Sequence, residues 1–155
     1  MVQDAKFEDT EERPLRLTVQ DADDLAVVSA LLQDAVLPMK ETSWQPSLHR
    51  FGMLVNRFRW EDKSRAEQDN RPYQRVQTML VIDDVKNVSS MGIDHSNKEQ
   101  IISILAVDFK EGKVIFTLAG DGALALDVEF LSITLKDVTK PYPAISKSAP
   151  KHKLD

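Results

Sequence analysis

The sequence predicts a single α+β domain: a curled, mostly antiparallel meander sheet or partly closed barrel of about seven or eight strands, with one N-terminal amphipathic helix packed on it. Three observations support this fold class. Apolar residues recur at helical spacing only near the N-terminus, over 21–36. After position 48 they recur mostly at every second residue, which is typical of half-buried strands. Their parity switches twice, and curled or closed sheets need such corners.

Composition limits the class of protein and its chemistry. The 155 residues contain 42% hydrophobic and 29% charged side chains, which suits one domain with its own core. Cysteine is absent, so disulfides, thiol nucleophiles and zinc–thiolate sites are excluded. No apolar run approaches 18 residues and no signal peptide is recognisable, so we expect a cytoplasmic protein without a membrane partner. The net charge of −5 disfavours general nucleic-acid binding.

The N-terminal third begins with a polar segment and then forms the helix. Residues 1–13 are predicted to be a disordered acidic tail, followed by the domain at 14–138. Alternating apolar residues from Leu15 predict a short first strand. The helix is predicted over Asp21–Val36, with Asp21 as its N-cap, and Pro38 ends it because proline disfavours helix at the preceding residue.

Two strands and a loop are predicted next. The strands are Met39–Trp44 and Arg50–Trp60. The second changes its apolar parity near Asn56, so either both of its faces are covered or a bulge lies there. The polar segment 61–71 lacks apolar periodicity and precedes a proline, which predicts a loop.

The second half of the chain reads as strands only. Strands are predicted at 73–82, 85–93 and 101–109, and a hairpin over 114–138 forms the centre of the sheet. Gly120-Asp121-Gly122 lies between apolar runs, which is a strong hairpin signal. Over 128–135 we favour a strand because β-branched and aromatic residues are dense, with a helix as the competing interpretation. The Pro/Lys-rich segment 139–155 is predicted to be a tail.

Several segments look familiar. The pattern Asn-Arg-Phe-x-Trp-Glu at 56–61, together with 105–109 and 126–129, resembles a family of small, mostly alphaproteobacterial proteins, domain of unknown function 2948. The resemblance covers about 15–138. It implies a bacterial cytoplasmic protein, and it supplies no catalytic residues because the family has no assigned activity.

Motifs of catalysis and cofactor binding are absent from the sequence. It lacks the glycine-rich phosphate loops, the zinc-protease motif, the nucleophile elbow and the calcium-binding loop. His49, His95 and His152 do not form a local metal-ligand pair. We therefore expect no cofactor, no metal and no catalytic residues, and we lean against an enzyme.

The best candidate binding patch lies on the third predicted strand. Arginines alternate there with aromatic side chains, an arrangement that can hold an anion or stack a base. Its members are Arg50, Asn56, Arg57, Arg59, Trp60 and Glu61. In the competing structural interpretation these side chains hold the fold, with Arg57 paired to Glu61 or another acid.

Three functions follow from these observations. We favour a non-catalytic protein-interaction or accessory module that binds an unknown protein or forms a homodimer through a strand edge. One alternative is a small enzyme whose site surrounds Asn56–Glu61. The other is binding of single-stranded nucleic acid, which the balanced charge disfavours.

Overall fold

The computed structural model describes residues 14–144 and Pro150. The predicted acidic tail at 1–13 and most of the predicted tail at 139–155 (residues 145–149 and 151–155) lie outside these residues. Among them, no helix is long and apolar enough to cross a membrane.

One antiparallel sheet dominates the fold. Its strands are β1 Arg16–Val19, β2 Ala35–Pro38, β3 Thr42–Gln45, β4 Arg50–Phe58, β5 Gln74–Ile82, β6 Val85–Met91, β7 Ile101–Lys110, β8 Lys113–Leu118, β9 Gly122–Val128, β10 Ile133–Asp137 and β11 Tyr142–Pro143. The order is β1-β10-β5-β4-β2-β7-β8-β9-β6, while β3 pairs with β4 and β11 with β5. Neither a meander of seven or eight strands nor a barrel forms, because long-range pairs such as β10–β5 intervene between chain neighbours.

The sheet curls without closing. In the described part of the chain its path ends at β1 and β6. The backbone N–H of Val85, at the start of β6, donates to the carbonyl of His49 at 2.8 Å. This bond brings the β6 edge back beside the start of β4, so the sheet surrounds an apolar interior.

Helix α1, Ala22–Leu31, is shorter than predicted. The Asp21 side chain caps it by accepting from the Asp24 N–H at 2.8 Å, as expected. The helix ends because Asp34 adopts a φ of 63°, in the left-handed region. The following residues, Ala35–Pro38, pair with β7. The prediction of helix to Val36 is therefore wrong, since Ala35 and Leu37 are buried by a strand's alternation.

A second helix, α2, lies where a loop was expected. A 3-10 turn, Trp60–Asp62, leads into α2, Lys63–Gln68. Only Ala66 of α2 is buried, so its sequence lacks the apolar period that predicts a helix. The Arg71 guanidinium binds both carboxylate oxygens of Asp62, at 2.7 and 2.6 Å, and fixes the segment. A single N-terminal helix is thus not what forms.

The predicted hairpin is confirmed, but its place in the sheet is wrong. Strands β8 and β9 meet at a turn in which Gly120 and Asp121 have φ values of 78° and 63°. The hairpin lies near one edge of the sheet, where β9 pairs with the edge strand β6. Pairing between distant parts of the chain sets this position. Over 128–135 neither the favoured continuous strand nor the competing helix forms, since the chain leaves β9 at Val128 and enters β10 at Ile133.

Strand β4 contains no bulge. Its register with β5 is unbroken from Phe51, opposite Ile82, to Phe58, opposite Arg75. Arg57 continues the buried side of the strand, and Phe58 is buried on the other. The interpretation that both faces are covered is the one that holds.

Candidate functional site

Arg57 is the centre of a buried ionic cluster at one end of β4. None of its side-chain surface is exposed. Its two terminal nitrogens each donate to one carboxylate oxygen of Glu61, both at 2.8 Å. Nη2 also donates to both oxygens of Asp137, at 3.1 and 3.0 Å. One guanidinium therefore connects β4, the 3-10 turn that follows it, and β10.

The remaining donors of Arg57 are also used. Nε donates to Thr78 Oγ1 at 3.0 Å, and that hydroxyl donates to Asp137 Oδ1 at 2.7 Å. Nη1 also donates to the Phe58 carbonyl at 3.5 Å. All five N–H groups of the guanidinium thus have partners. Asp137 further accepts from the Leu15 N–H at 3.2 Å, which ties the start of the domain to the cluster.

Burial and charge oppose each other in this cluster. Burial by itself lowers the pKa of Arg57, but the hydrogen bond to Glu61 and the charges of Glu61 and Asp137 outweigh it and raise the pKa. Burial raises the pKa of Glu61, but the Arg57 guanidinium outweighs burial and holds that pKa below its ordinary value of 4.5. Arg57 and Glu61 therefore both stay ionised at neutral pH.

The other residues of the sequence-predicted patch divide into two locations. Asn56 accepts from Arg75 Nε at 2.5 Å, and Trp60 Nε1 donates to the Gln33 carbonyl at 3.0 Å. Arg59 donates to the Gln74 side chain. Arg50 lies seven residues from Arg57, roughly 23 Å along an extended strand, and pairs with Asp83. The structure places the other five at the same end of β4, although Asn56 and Trp60 contact residues outside the ionic cluster, and Arg50 lies apart. A binding role for them stays a prediction.

A shallow hollow of about 230 Å³ lies beside the ionic cluster. Arg59 and Asp137 are among its lining residues, with Pro14 and the segment 138–141. Neither Arg57 nor Glu61 lines it, although the enzyme hypothesis placed a pocket around those two groups. Asp137 already accepts hydrogen bonds from Arg57 and Thr78. The hollow therefore offers few polar groups that are free to bind a ligand.

A larger cavity, which we name the sheet cavity, lies toward the opposite end of β4. Its volume is about 360 Å³. Its floor consists of buried apolar side chains from five strands: Leu37, Phe51, Met53, Ile104, Leu118 and Leu124. Its rim consists of more exposed side chains: Trp44, Val88, Ile93, His95 and Lys98. It is an apolar chamber within the curl of the sheet that opens to solvent.

The segment 92–100, which we name the cap loop, forms part of that rim. Gly92 has a φ of 73°, and a Cβ there would lie 2.9 Å from the Gly122 Cα, so glycine permits the close approach to β9. The Gln100 side chain donates to the carbonyls of Asp94 and Asn97. The Met39 and Lys40 N–H groups donate to the carbonyls of Gln100 and Lys98, both at 2.9 Å. These bonds hold the rim in place.

The ionisable side chains that line the sheet cavity are His95 and Lys98. His95 Nε2 lies 2.6 Å from Ser90 Oγ. Over residues 14–144, Lys98 Nζ forms no ion pair, whereas Lys40 on the neighbouring turn pairs with Glu99 at 3.2 Å. Within the same residues, neither Asp nor Glu lines the cavity. Within the described residues, the mouth therefore carries a lysine without an acidic partner.

Metal binding has no support in the described segments, where no group of three or more His, Asp or Glu side chains is placed to hold an ion. Sequence reasoning weighed His95 as a metal ligand and gave the floor residues no binding role, so it missed the sheet cavity. Its lining is spread from Leu37 to Leu124 along the chain, and no local motif marks it.

Three comparisons with known proteins place the chain in context. A family model described as "Protein of unknown function (DUF2948)" matches residues 15–152. No curated protein matches the chain, and no solved structure matches it.

Proposed function

We propose, on the premise that the chain belongs to the DUF2948 family of proteins of unknown function, that this protein is a non-catalytic binding module whose site is the sheet cavity. It binds a small, mainly apolar molecule there. The observation that carries the proposal is a chamber of about 360 Å³ lined by apolar side chains. Ligand pockets in proteins have volumes of about 300–1,000 Å³ and are mostly apolar.

The size of the sheet cavity argues against a packing defect. Cavities in protein cores cost about 24 cal/mol per Å³, so a sealed and empty void of about 360 Å³ would cost roughly 9 kcal/mol. That is comparable to the total stability of a typical domain, about 5–15 kcal/mol. A chamber of this size is therefore expected to stay open to solvent, where a ligand can reach it, rather than to persist as a closed void.

The chemistry of the lining favours binding without catalysis. The hydroxyl of Thr42, which lies in the lining, donates to the Met39 carbonyl at 2.8 Å. General acid–base catalysis most often uses a histidine or a carboxylate that is free to contact the substrate. The His95 ring is already anchored at Ser90, and at the ionic cluster every donor of Arg57 is used. These contacts disfavour the enzyme hypothesis at both places.

Pairing through a sheet edge, the homodimer hypothesis, has weaker support. The edge strand β6 carries Lys86 and an irregular register between Val85 and Asn87. Edge lysines and bulges are features that discourage strand addition. We therefore place ligand binding ahead of self-association.

The two tryptophans allow a direct test. Trp44 lines the sheet cavity and Trp60 lies outside that lining, donating to the Gln33 carbonyl, so the Trp60→Phe variant leaves Trp44 as the only tryptophan. Neutral N-phenyl-1-naphthylamine is titrated into this variant. We expect saturable probe fluorescence with quenching of Trp44, while Trp60 in the Trp44→Phe variant responds much less.

Two substitutions on one strand supply the control. Leu124 lines the sheet cavity, and Leu126, two residues along β9, is buried outside its lining. Leu124→Phe narrows the chamber and should weaken probe binding at least about tenfold. Leu126→Phe should leave the affinity unchanged. Equal affinities in the two variants, or a probe signal that does not saturate, would overturn the proposed function.

A further inference from the structure

We propose that the ligand of the sheet cavity is a monocarboxylate with a flexible apolar tail, held with its tail on the apolar floor and its carboxylate at Lys98. This inference rests on the proposed function and adds the chemical class of the ligand.

The charges around the mouth of the sheet cavity favour a ligand with a negatively charged head. The ionisable side chains in the lining are His95 and Lys98, both able to bear positive charge. An ammonium that has no acidic partner gains a charge-assisted hydrogen bond when a carboxylate arrives. A cationic ligand head would instead meet Lys98 and be repelled.

Neighbouring acids are already engaged. Glu99 pairs with Lys40 at 3.2 Å. The Asp94 carboxylate accepts from the Ser96 N–H at 3.0 Å and from the Ser96 hydroxyl at 2.6 Å, so it is turned into its own loop. In the described chain neither acid pairs with Lys98.

The apolar floor of the sheet cavity determines the chemistry of the rest of the ligand. Leu118, Leu124 and Ile104 present no hydrogen-bonding group, and the hydroxyl of Thr42 is already donated to the Met39 carbonyl. A polar group pushed onto this floor would lose its hydration without compensation. The ligand therefore has one polar end, and that end stays at the mouth, beside Lys98.

The backbone fixes Lys98 at that position. Its carbonyl accepts from the Lys40 N–H at 2.9 Å, and the adjoining Gln100 carbonyl accepts from the Met39 N–H at 2.9 Å. The cap loop thus presents the lysine at the rim before any ligand binds, which reduces the entropy lost on binding.

Decanoate and 1-decanol, which share a tail and differ in the head, provide the test. Each is titrated into the Trp60→Phe variant below its micelle concentration, with Trp44 emission as the readout. Decanoate should bind at least about tenfold more tightly than decanol, the factor expected for one hydrogen bond to a charged group. Raising the salt concentration should weaken decanoate binding and leave decanol binding unchanged.

Two lysine variants separate a local effect from net charge. Lys98→Gln should reduce the affinity for decanoate to that for decanol. Lys110→Gln makes the same change in net charge at an exposed position outside the lining and should leave both affinities unchanged. Within the series octanoate, nonanoate and decanoate, each methylene buried on the floor should tighten binding about fourfold.

The outcomes distinguish the two proposals. If decanol and decanoate bind equally, or if Lys98→Gln and Lys110→Gln behave alike, the carboxylate inference is overturned and the proposed function stands. If neither compound nor the neutral naphthylamine probe binds, both are overturned. Decanoate binding that is unchanged by Leu124→Phe would place the ligand elsewhere and also overturn the inference.

Discussion

The two ends of β4 hold regions of opposite character. At one end, Arg57 is fully buried and every N–H of its guanidinium has a partner. Toward the other end, Phe51 and Met53 face about 360 Å³ of open, apolar space, and Lys98 at its mouth has no acidic partner among the described residues. The first region has many polar and charged groups but no space for a ligand. The second has space for a ligand but few polar or charged groups.

This difference shows that residue type alone is a poor guide to a binding site. Arginine, tryptophan and glutamate at 56–61 are residue types that often bind ligands, and here their contacts hold strands and turns together. Leucine, phenylalanine and isoleucine suggest only core, and here they surround free volume. What can bind depends on which groups remain unsatisfied after folding.

The largest expected effect comes from replacing Arg57, which tests whether the ionic cluster holds the fold. Arg57→Leu leaves Glu61 and Asp137 without their buried cation, and the loss of one partner from a buried ionic group costs about 3–5 kcal/mol. Urea unfolding measures the change. The control is Arg50→Leu, whose exposed pair with Asp83 contributes about 0–1 kcal/mol.

If Arg57→Leu does not fold, a milder substitution at the same position tests the same contacts. Arg57→Lys keeps the charge but loses the two-pronged contact with Glu61, so it should fold with reduced stability. Arg57→Lys or Arg57→Leu with the stability of the wild type would show that the ionic cluster does not hold the fold.

A smaller effect is expected from overfilling two places on β9. Leu126→Phe enlarges a side chain in a packed region and should lower the free energy of unfolding by about 1–3 kcal/mol. Leu124→Phe extends into the sheet cavity and should change it by less than about 1 kcal/mol. Thermal and urea unfolding of the pair compare the two positions. Equal losses would mean that the cavity is filled by protein in solution.

The smallest expected effect is on the dependence of the free energy of unfolding on acidic pH. The folded-state pKa of Glu61 lies below its ordinary value of 4.5, so Glu61 stabilises the fold fully above that value. This contribution is lost as the pH falls through the lower, folded-state pKa. The unfolding free energy of Glu61→Gln should therefore fall less than that of the wild type between about pH 5 and pH 3.

The exposed pair of Lys40 and Glu99 provides the control for acid. The Glu99 side chain is 74% exposed, so Glu99→Gln should keep nearly the whole acid dependence of the wild type. If Glu61→Gln and Glu99→Gln follow the same pH profile, Arg57 does not lower the pKa of Glu61.

Local patterns predicted much of the secondary structure. The Asp21 cap, the turn at Gly120-Asp121 and the strand from Gln74 to Ile82 depend on neighbours in the chain, and each is present. The prediction failed for Ala35–Pro38 and for α2. The first pairs with a distant strand, and the second is held by an Arg71–Asp62 contact rather than by apolar spacing. The pairing of Arg57 with Glu61 was one of two open alternatives, whereas its contact with Asp137 could not be read from the sequence.

The sequence by itself determined the strand-rich α+β class, the place of the hairpin turn along the chain, and a chain without cysteine chemistry, because those properties depend on composition and on residues a few positions apart. The tertiary structure decided the strand order, the burial of Arg57 and the existence of the sheet cavity. These depend on contacts between residues up to about 120 positions apart, such as Leu15 with Asp137. Periodicity states which face of a strand is apolar, and only the assembled sheet determines whether that face meets another side chain or empty space.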